Sequence, residues 1–277
     1  QRDGTCGIRL VIASAGRGKG VVRVCSGCAG GRTSRSGFRR VNRMPAPSPD
    51  LLTGLIDDAA VFPPGNAPLD VAVQRHRAHR SSAYAGCIGP LLVPTSAAAD
   101  LTAMATGPLS VGLIVRPGGD AGDISHARRM LAGTEVDVAG AECGWSEGWR
   151  ESVGDGLPVA LEIPRGAGQA AALDDLAVAV ADGRPVVGKF RTGATSSWAW
   201  PDEAELAGVI RAFLDRGIPF KLTGGLHHAA RGRYAVAGVP EENHGVLNVL
   251  MAVRHASDGA DCTELAAILG DRDGENL

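Results

Sequence analysis

From residue 55 onward, short apolar runs alternate with longer segments whose apolar residues recur at helical spacing. This is the pattern of repeated βα units that build a parallel sheet. Strands are predicted over 55–62, 86–93, 109–115, 135–139, 158–163, 185–190 and 218–223, with helices near 67–81, 95–106, 122–132, 146–154, 168–182 and 202–216. Leu173, Leu176, Ala177 and Val180 fall at i, i+3, i+4 and i+7, as do Leu206, Val209, Ile210 and Phe213, so each of these helices carries one buried stripe. Pro201-Asp202-Glu203 marks a helix start, with acids in the turn where the macrodipole favours them. Connections are short and rich in Gly and Pro. Past the seventh strand the pattern weakens: 226–243 reads as a functional loop, 244–255 and 262–269 as helices, and no eighth strand is legible. The predicted fold is a single α/β domain over 44–277, a TIM-type (β/α)8 barrel, with either an incomplete barrel or a truncated C-terminus accounting for the missing eighth strand.

Composition adds class and compartment. Of 277 residues 44% are hydrophobic and 21% charged, enough apolar mass for a sizeable core. No window approaches ~18 uninterrupted apolar residues and no secretory signal pattern opens the chain, so a cytoplasmic protein without a membrane partner is expected. Charge is uneven: residues 1–43 hold ten Lys and Arg against Asp3 alone, leaving −11 for the rest. That Gly- and Arg-rich arm has no helical or strand period. It reads either as an arm for nucleic acid or an acidic partner, or as upstream sequence joined to a frame that opens at Met44. On the second reading, adopted here, the acidic remainder has no nucleic-acid partner. Cys25-x-x-Cys28 is one pair without the further ligands of a zinc module. Cys87, Cys143 and Cys262 read as buried thiols of a reducing compartment. No Gly-x-Gly-x-x-Gly or Gly-Lys-Ser/Thr spacing occurs, so no nucleotide cofactor is implied.

Four predicted strands carry an ionisable residue between apolar or small neighbours: Val136-Asp137-Val138, Leu161-Glu162-Ile163, Gly188-Lys189-Phe190 and Phe220-Lys221-Leu222. Strands covered on both faces should be nearly all apolar. Alternation lets the neighbours face the helices while the charges point into the barrel, where burial costs several kcal/mol per group unless they pair. They form either a structural ion-pair layer or a site, and two lysines exceed what packing needs. Neighbouring strands lie about 4.8 Å apart, close enough for one ammonium to disfavour protonation of the other. A neutral lysine amine can attack a carbonyl and form a Schiff base, with the acids moving protons.

These residues resemble the deoxyribose-phosphate aldolase family and related class I aldolase barrels, over about 55–226. The sixth strand of that family reads Lys-Thr-Ser-Thr-Gly, and this chain has Lys189-Phe190-Arg191-Thr192-Gly193. The seventh reads Lys-Ala-Ala-Gly-Gly-Ile, against Lys221-Leu222-Thr223-Gly224-Gly225-Leu226. Glu135-Val136-Asp137 resembles the strand-four motif with the catalytic aspartate, Ile56-Asp57-Asp58 the opening strand, and Glu162 the strand-five acid. The resemblance implies a cofactor-free lyase with Lys189 as Schiff-base residue, Lys221 lowering its pKa, Asp137 and Glu162 handling protons and water, and Asp57, Thr192, Gly224 and Gly225 near the substrate. The departures are Phe190 and Arg191 beside the lysine, and the absence of the Gly-Thr-Ser-Ser phosphate segment, in whose place stands Gly225-Leu226-His227-His228. The expected substrate is a small carbonyl compound with an anionic group, held by Arg191, His227 and Arg231, with His228 and His244 nearby; a homo-oligomer is left open.

The histidines carry a rival reading, a metal-dependent lyase or isomerase using His227, His244 and Glu162. A third is a non-catalytic, metabolite-binding barrel. His76, His79, His126 and His255 fall in predicted helices and read as surface residues, and Trp145, Trp149, Trp198 and Trp200 either wall the pocket or pack.

Overall fold

The computed structural model describes residues 7–8, 53–63, 65–104, 106–195, 198–236 and 239–277. Seven parallel strands stand side by side in chain order: β1 (Ile56–Asp58), β2 (Ile88–Pro94), β3 (Leu109–Ile114), β4 (Val136–Gly144), β5 (Val159–Glu162), β6 (Val186–Arg191) and β7 (Phe220–Thr223). Between successive strands run α1 (Leu69–Arg80), α2 (Ala98–Met104), α3 (Gly122–Leu131), α4 (Trp149–Val153), α5 (Gln169–Ala181) and α6 (Glu203–Asp215). The sheet curls as in a TIM-like barrel but does not close: among the described residues no ladder joins β7 to β1. The outer edge of β1 pairs instead with a two-residue antiparallel strand, Gly7–Ile8, which also comes within 8 Å of β7, Cα to Cα. The rest of the basic arm, with Cys6, Cys25 and Cys28, lies outside the described residues. No described helix is long and apolar enough to cross a membrane.

Period-two alternation fixes what faces where. On β3, Leu109, Val111 and Leu113 are buried against the helices, whereas Ser110, Gly112 and Ile114 share the inner face. Matching residues of neighbouring strands fall in layers: Gly112 pairs with Gly140, Ile114 with Glu142, Glu162 with Lys189, and Lys189 with Lys221. Gly188 permits one close approach that matters to the site, since a Cβ there would lie 2.2 Å from the ring of Phe213. Phe213 of α6 stacks on Phe220 of β7 at 5.0 Å, which locks α6 over the two lysine-bearing strands. Asp202 caps α6 by accepting from the Glu205 N–H at 2.8 Å.

Three elements depart most from expectation, the first being β1, predicted over 55–62 and confined to Ile56–Asp58. β4 runs on to Gly144, five residues past the predicted end, through an irregularity at Ala139 that leaves Val138 opposite Val111 and Gly140 opposite Gly112. The segment expected as a loop before α7 (Val246–Ser257) contains a hairpin of β8 (Gly232–Val236) and β9 (Val239–Asn243), with Gly232 opposite Asn243. α8 (Cys262–Gly270), started by a capping box at Asp261 and Glu264, packs on α6 and α7.

Candidate functional site

The inner face of the sheet gathers a charged layer. Lys189 of β6 lies 2.8 Å from Glu142 Oε2 and 2.9 Å from Glu162 Oε2. Lys221 of β7 lies 2.6 Å from Asp57 Oδ2 and contacts Glu142 Oε1, so the two amines sit on opposite oxygens of one carboxylate. The Lys221–Asp57 pair also spans the open seam between β7 and β1. Asp57, Glu142, Lys189 and Lys221 are each 5% exposed or less. Glu162 and Arg191, at the carboxyl ends of β5 and β6, are 29% and 30% exposed and meet at 3.2 and 3.4 Å. Among the described residues three anions meet three cations, and such pairing is the condition under which charges of this kind can be buried.

Burial drives the Glu142 carboxyl upward, but Lys189 and Lys221 overcome it and hold the group at about 2. Burial pulls the Lys189 amine downward, and Glu142 and Glu162 reverse this, leaving its pKa above the ordinary lysine value. For Glu162, too, burial is outweighed by Lys189 and Arg191, so its pKa is lowered. A neutral amine produced by the neighbouring ammonium is therefore not what this arrangement gives. Glu142 lies between the cations, and each lysine meets carboxylates at contact range.

Of the residues singled out in the sequence, Lys189, Lys221, Glu162, Asp57 and Arg191 come together. Asp137 does not: it pairs with Ser110 near the amino end of β4 and is exposed. The strand-four acid of the layer is Glu142, which lies beyond the predicted end of that strand at Ala139. Thr192 is fully buried and bonds the Thr223 carbonyl through its N–H at 2.7 Å and its hydroxyl at 3.2 Å. Gly193 and Gly224 touch backbone to backbone, so closely that a Cβ on Gly193 would fall 1.5 Å from the Gly224 oxygen. The Thr-Gly and Gly-Gly pairs thus bring the turns after β6 and β7 together. Leu226, at φ 62°, is held in the left-handed region at the end of the second turn.

The remaining cations and histidines sit elsewhere. Arg231 is tied to Glu203 at 2.7 Å and to Glu242 at 3.0 Å. His227 is exposed, and His228 stacks on Tyr234 with centroids 3.4 Å apart. His244 is buried and donates from Nε2 to the Pro201 carbonyl at 2.8 Å. Among the described residues no three His, Cys, Asp or Glu side chains are grouped to hold a metal ion, so His227, His244 and Glu162 do not form the set expected of them. His76, expected on the surface, is buried and shares Asp58 Oδ2 with half-exposed His79, at 3.1 and 3.2 Å. Trp145 and Trp149 pack, both donating to Asp175. Cys143 is buried, with burial pushing its thiol up to about 11, whereas Cys87 is half-buried and Cys262 exposed, against the expectation of three buried thiols. No family model, curated protein or solved structure matches the chain.

Proposed function

We propose that this chain is an amine-catalysed lyase in which Lys189 forms a Schiff base with a small carbonyl compound bearing an anionic group, and a carbon–carbon bond next to that centre is broken or made. The observation that carries this reading is the seating of Lys189 between Glu142 and Glu162, beside a second buried lysine on the adjacent strand.

Lys189 rests as an ammonium and must lose a proton before it reacts. With the Lys189 pKa held above and the Glu162 pKa below their ordinary values, that proton leaves to hydroxide from solvent, which reaches the layer on the side of partly exposed Glu162. The amine then attacks the carbonyl carbon, the carbonyl oxygen takes up the electron pair and protons and leaves as water, and the nitrogen becomes an iminium. That cation occupies the place of the ammonium, so the same two carboxylates stabilise it without rearrangement. Glu162 takes the proton of a β-hydroxyl, which sends the bonding pair of the Cα–Cβ bond into the iminium and gives an aldehyde and an enamine, and the proton held on Glu162 is the one later returned to the enamine carbon. Protonation of the enamine and addition of water release the second product and restore Lys189. Arg191 suits the substrate anion, because its contacts to Glu162 are the longest of the network and its planar donors match a carboxylate. Lys221 positions Glu142.

Borohydride trapping tests this. The protein is incubated with a panel of small aldehydes and keto acids, reduced and peptide-mapped. An added mass on the Lys189 peptide, absent in Lys189→Met, is expected; no adduct at Lys189 with any carbonyl overturns the proposal.

A further inference from the structure

Parallel strands give the charged layer two sides. Toward the carboxyl ends lie Glu162 and Arg191. On the amino-terminal side lies a cavity of about 60 Å³ walled by Leu92, Ala160 and Val187, with exposed Pro158 and Pro185 at its rim and Asp57, Glu142 and Lys221 at its inner end. A water needs ~10–15 Å³ by this measure, so there is room for about four groups of that size. The walls are apolar and open to solvent at the rim, while the inner end is charged. Of the lysine's three donors, those directed to Asp57 and Glu142 account for two. The third is available to an acceptor oxygen. A carboxylate or phosphate would bring negative charge against Asp57 and Glu142, and a cation would have to compete with Lys221 for both.

We infer that this cavity is a second subsite, which takes an uncharged two- or three-carbon compound with a carbonyl or hydroxyl oxygen and receives that oxygen at Lys221 Nζ. Its use for the aldehyde released by carbon–carbon cleavage rests on the function proposed above; its ligand chemistry does not. The anionic part of the substrate would then lie on the carboxyl-terminal side of the layer, and the neutral fragment would pass out through the opposite end of the barrel.

Propan-1-ol fits the space and cannot form a Schiff base, so its binding is read independently of Lys189 chemistry. The full chain is titrated with propan-1-ol, propionate and propylammonium while the Ala160 and Val187 methyl resonances are followed by NMR. Saturable shifts with propan-1-ol are expected, with both charged compounds about tenfold weaker or worse. Ala160→Leu or Val187→Phe, each filling the cavity, should weaken propan-1-ol about tenfold or more. Should neither variant fold, the wild-type comparison of the three compounds still decides. Propionate binding as tightly as propan-1-ol, absence of saturation, or unchanged affinity in a folded filling variant overturns the subsite. Propan-1-ol binding with no borohydride adduct at Lys189 upholds the subsite and removes the proposed reaction; an adduct without propan-1-ol binding does the reverse.

Discussion

Glu142, 5% exposed, bridges two ammonium groups, so its charge is worth more to the fold than that of a surface carboxylate. Glu142→Gln keeps the shape and leaves Lys189 and Lys221 with one fewer counter-charge. Breaking a buried pair in this way costs ~3–5 kcal/mol, and urea unfolding should show a loss of that order; a loss below about 1 kcal/mol would mean the lysines find other partners. At Glu162 the expected effect is on chemistry. The carboxylate raises the pKa of Lys189, so Glu162→Gln should lower it, and the alkaline limb of the trapping rate against pH should move to lower pH. A limb that stays or moves up contradicts the assignment of Lys189 as the reacting amine. Both lysines were legible because each interrupts an apolar run with a charge. Glu142 was not, because Ala139-Gly140-Ala141 lacks the β-branched and aromatic residues that advertise a strand. The signal was present all the same, in Ala141-Glu142-Cys143, an acid between small apolar neighbours like the others.

Among the elements, the turns after β6 and β7 carry the tightest constraint. Gly193→Ala would drive a Cβ into the Gly224 carbonyl and separate the two lysine-bearing strands at their carboxyl ends. A destabilisation of about 3 kcal/mol or more is expected in chemical denaturation. Gly208, on α6, is the contrast: nothing lies within 4 Å of the Cβ position, and Gly208→Ala should stabilise by ~0.5–1 kcal/mol, the usual helix-interior gain. Equal effects at the two positions would refute the close-approach explanation. The seven strands and the helices between them were readable from periodicity because each helix turns one stripe to the sheet, as Leu206, Ile210 and Phe213 of α6 do. The β8–β9 hairpin was not readable: Gly232-Arg233-Tyr234 and Glu241-Glu242-Asn243 lack the alternation of a half-buried strand, and a two-stranded ribbon outside the core does not need it. His76 hid for a related reason, since a single polar residue on the buried stripe of α1 looks like any surface histidine until Asp58 is placed beneath it.

For the molecule as a whole, the charged layer crosses the seam that backbone pairing leaves open, because Lys221 on the last parallel strand reaches Asp57 on the first. Stability should therefore follow the ionisation of the layer. Glu142 titrates near 4.5 when unfolded and at about 2 when folded; its contribution is whole above about pH 4.5 and is lost as the pH falls toward 2. Lys189, raised in the folded chain from an ordinary 10.5, contributes fully below that value and loses its contribution as the pH rises through the folded pKa. A plateau between these limits with losses on both sides should appear in thermal unfolding across pH, and Glu142→Gln should flatten the acid side. An acid limb unchanged by Glu142→Gln would place the acid sensitivity elsewhere. The most direct measurement is a crystal structure of the protein after borohydride trapping with a reactive carbonyl. Density should run from Lys189 Nζ, still seated between Glu142 and Glu162, toward the guanidinium of Arg191; an unmodified Lys189, or a lysine nitrogen turned outward among the helices, would contradict the account.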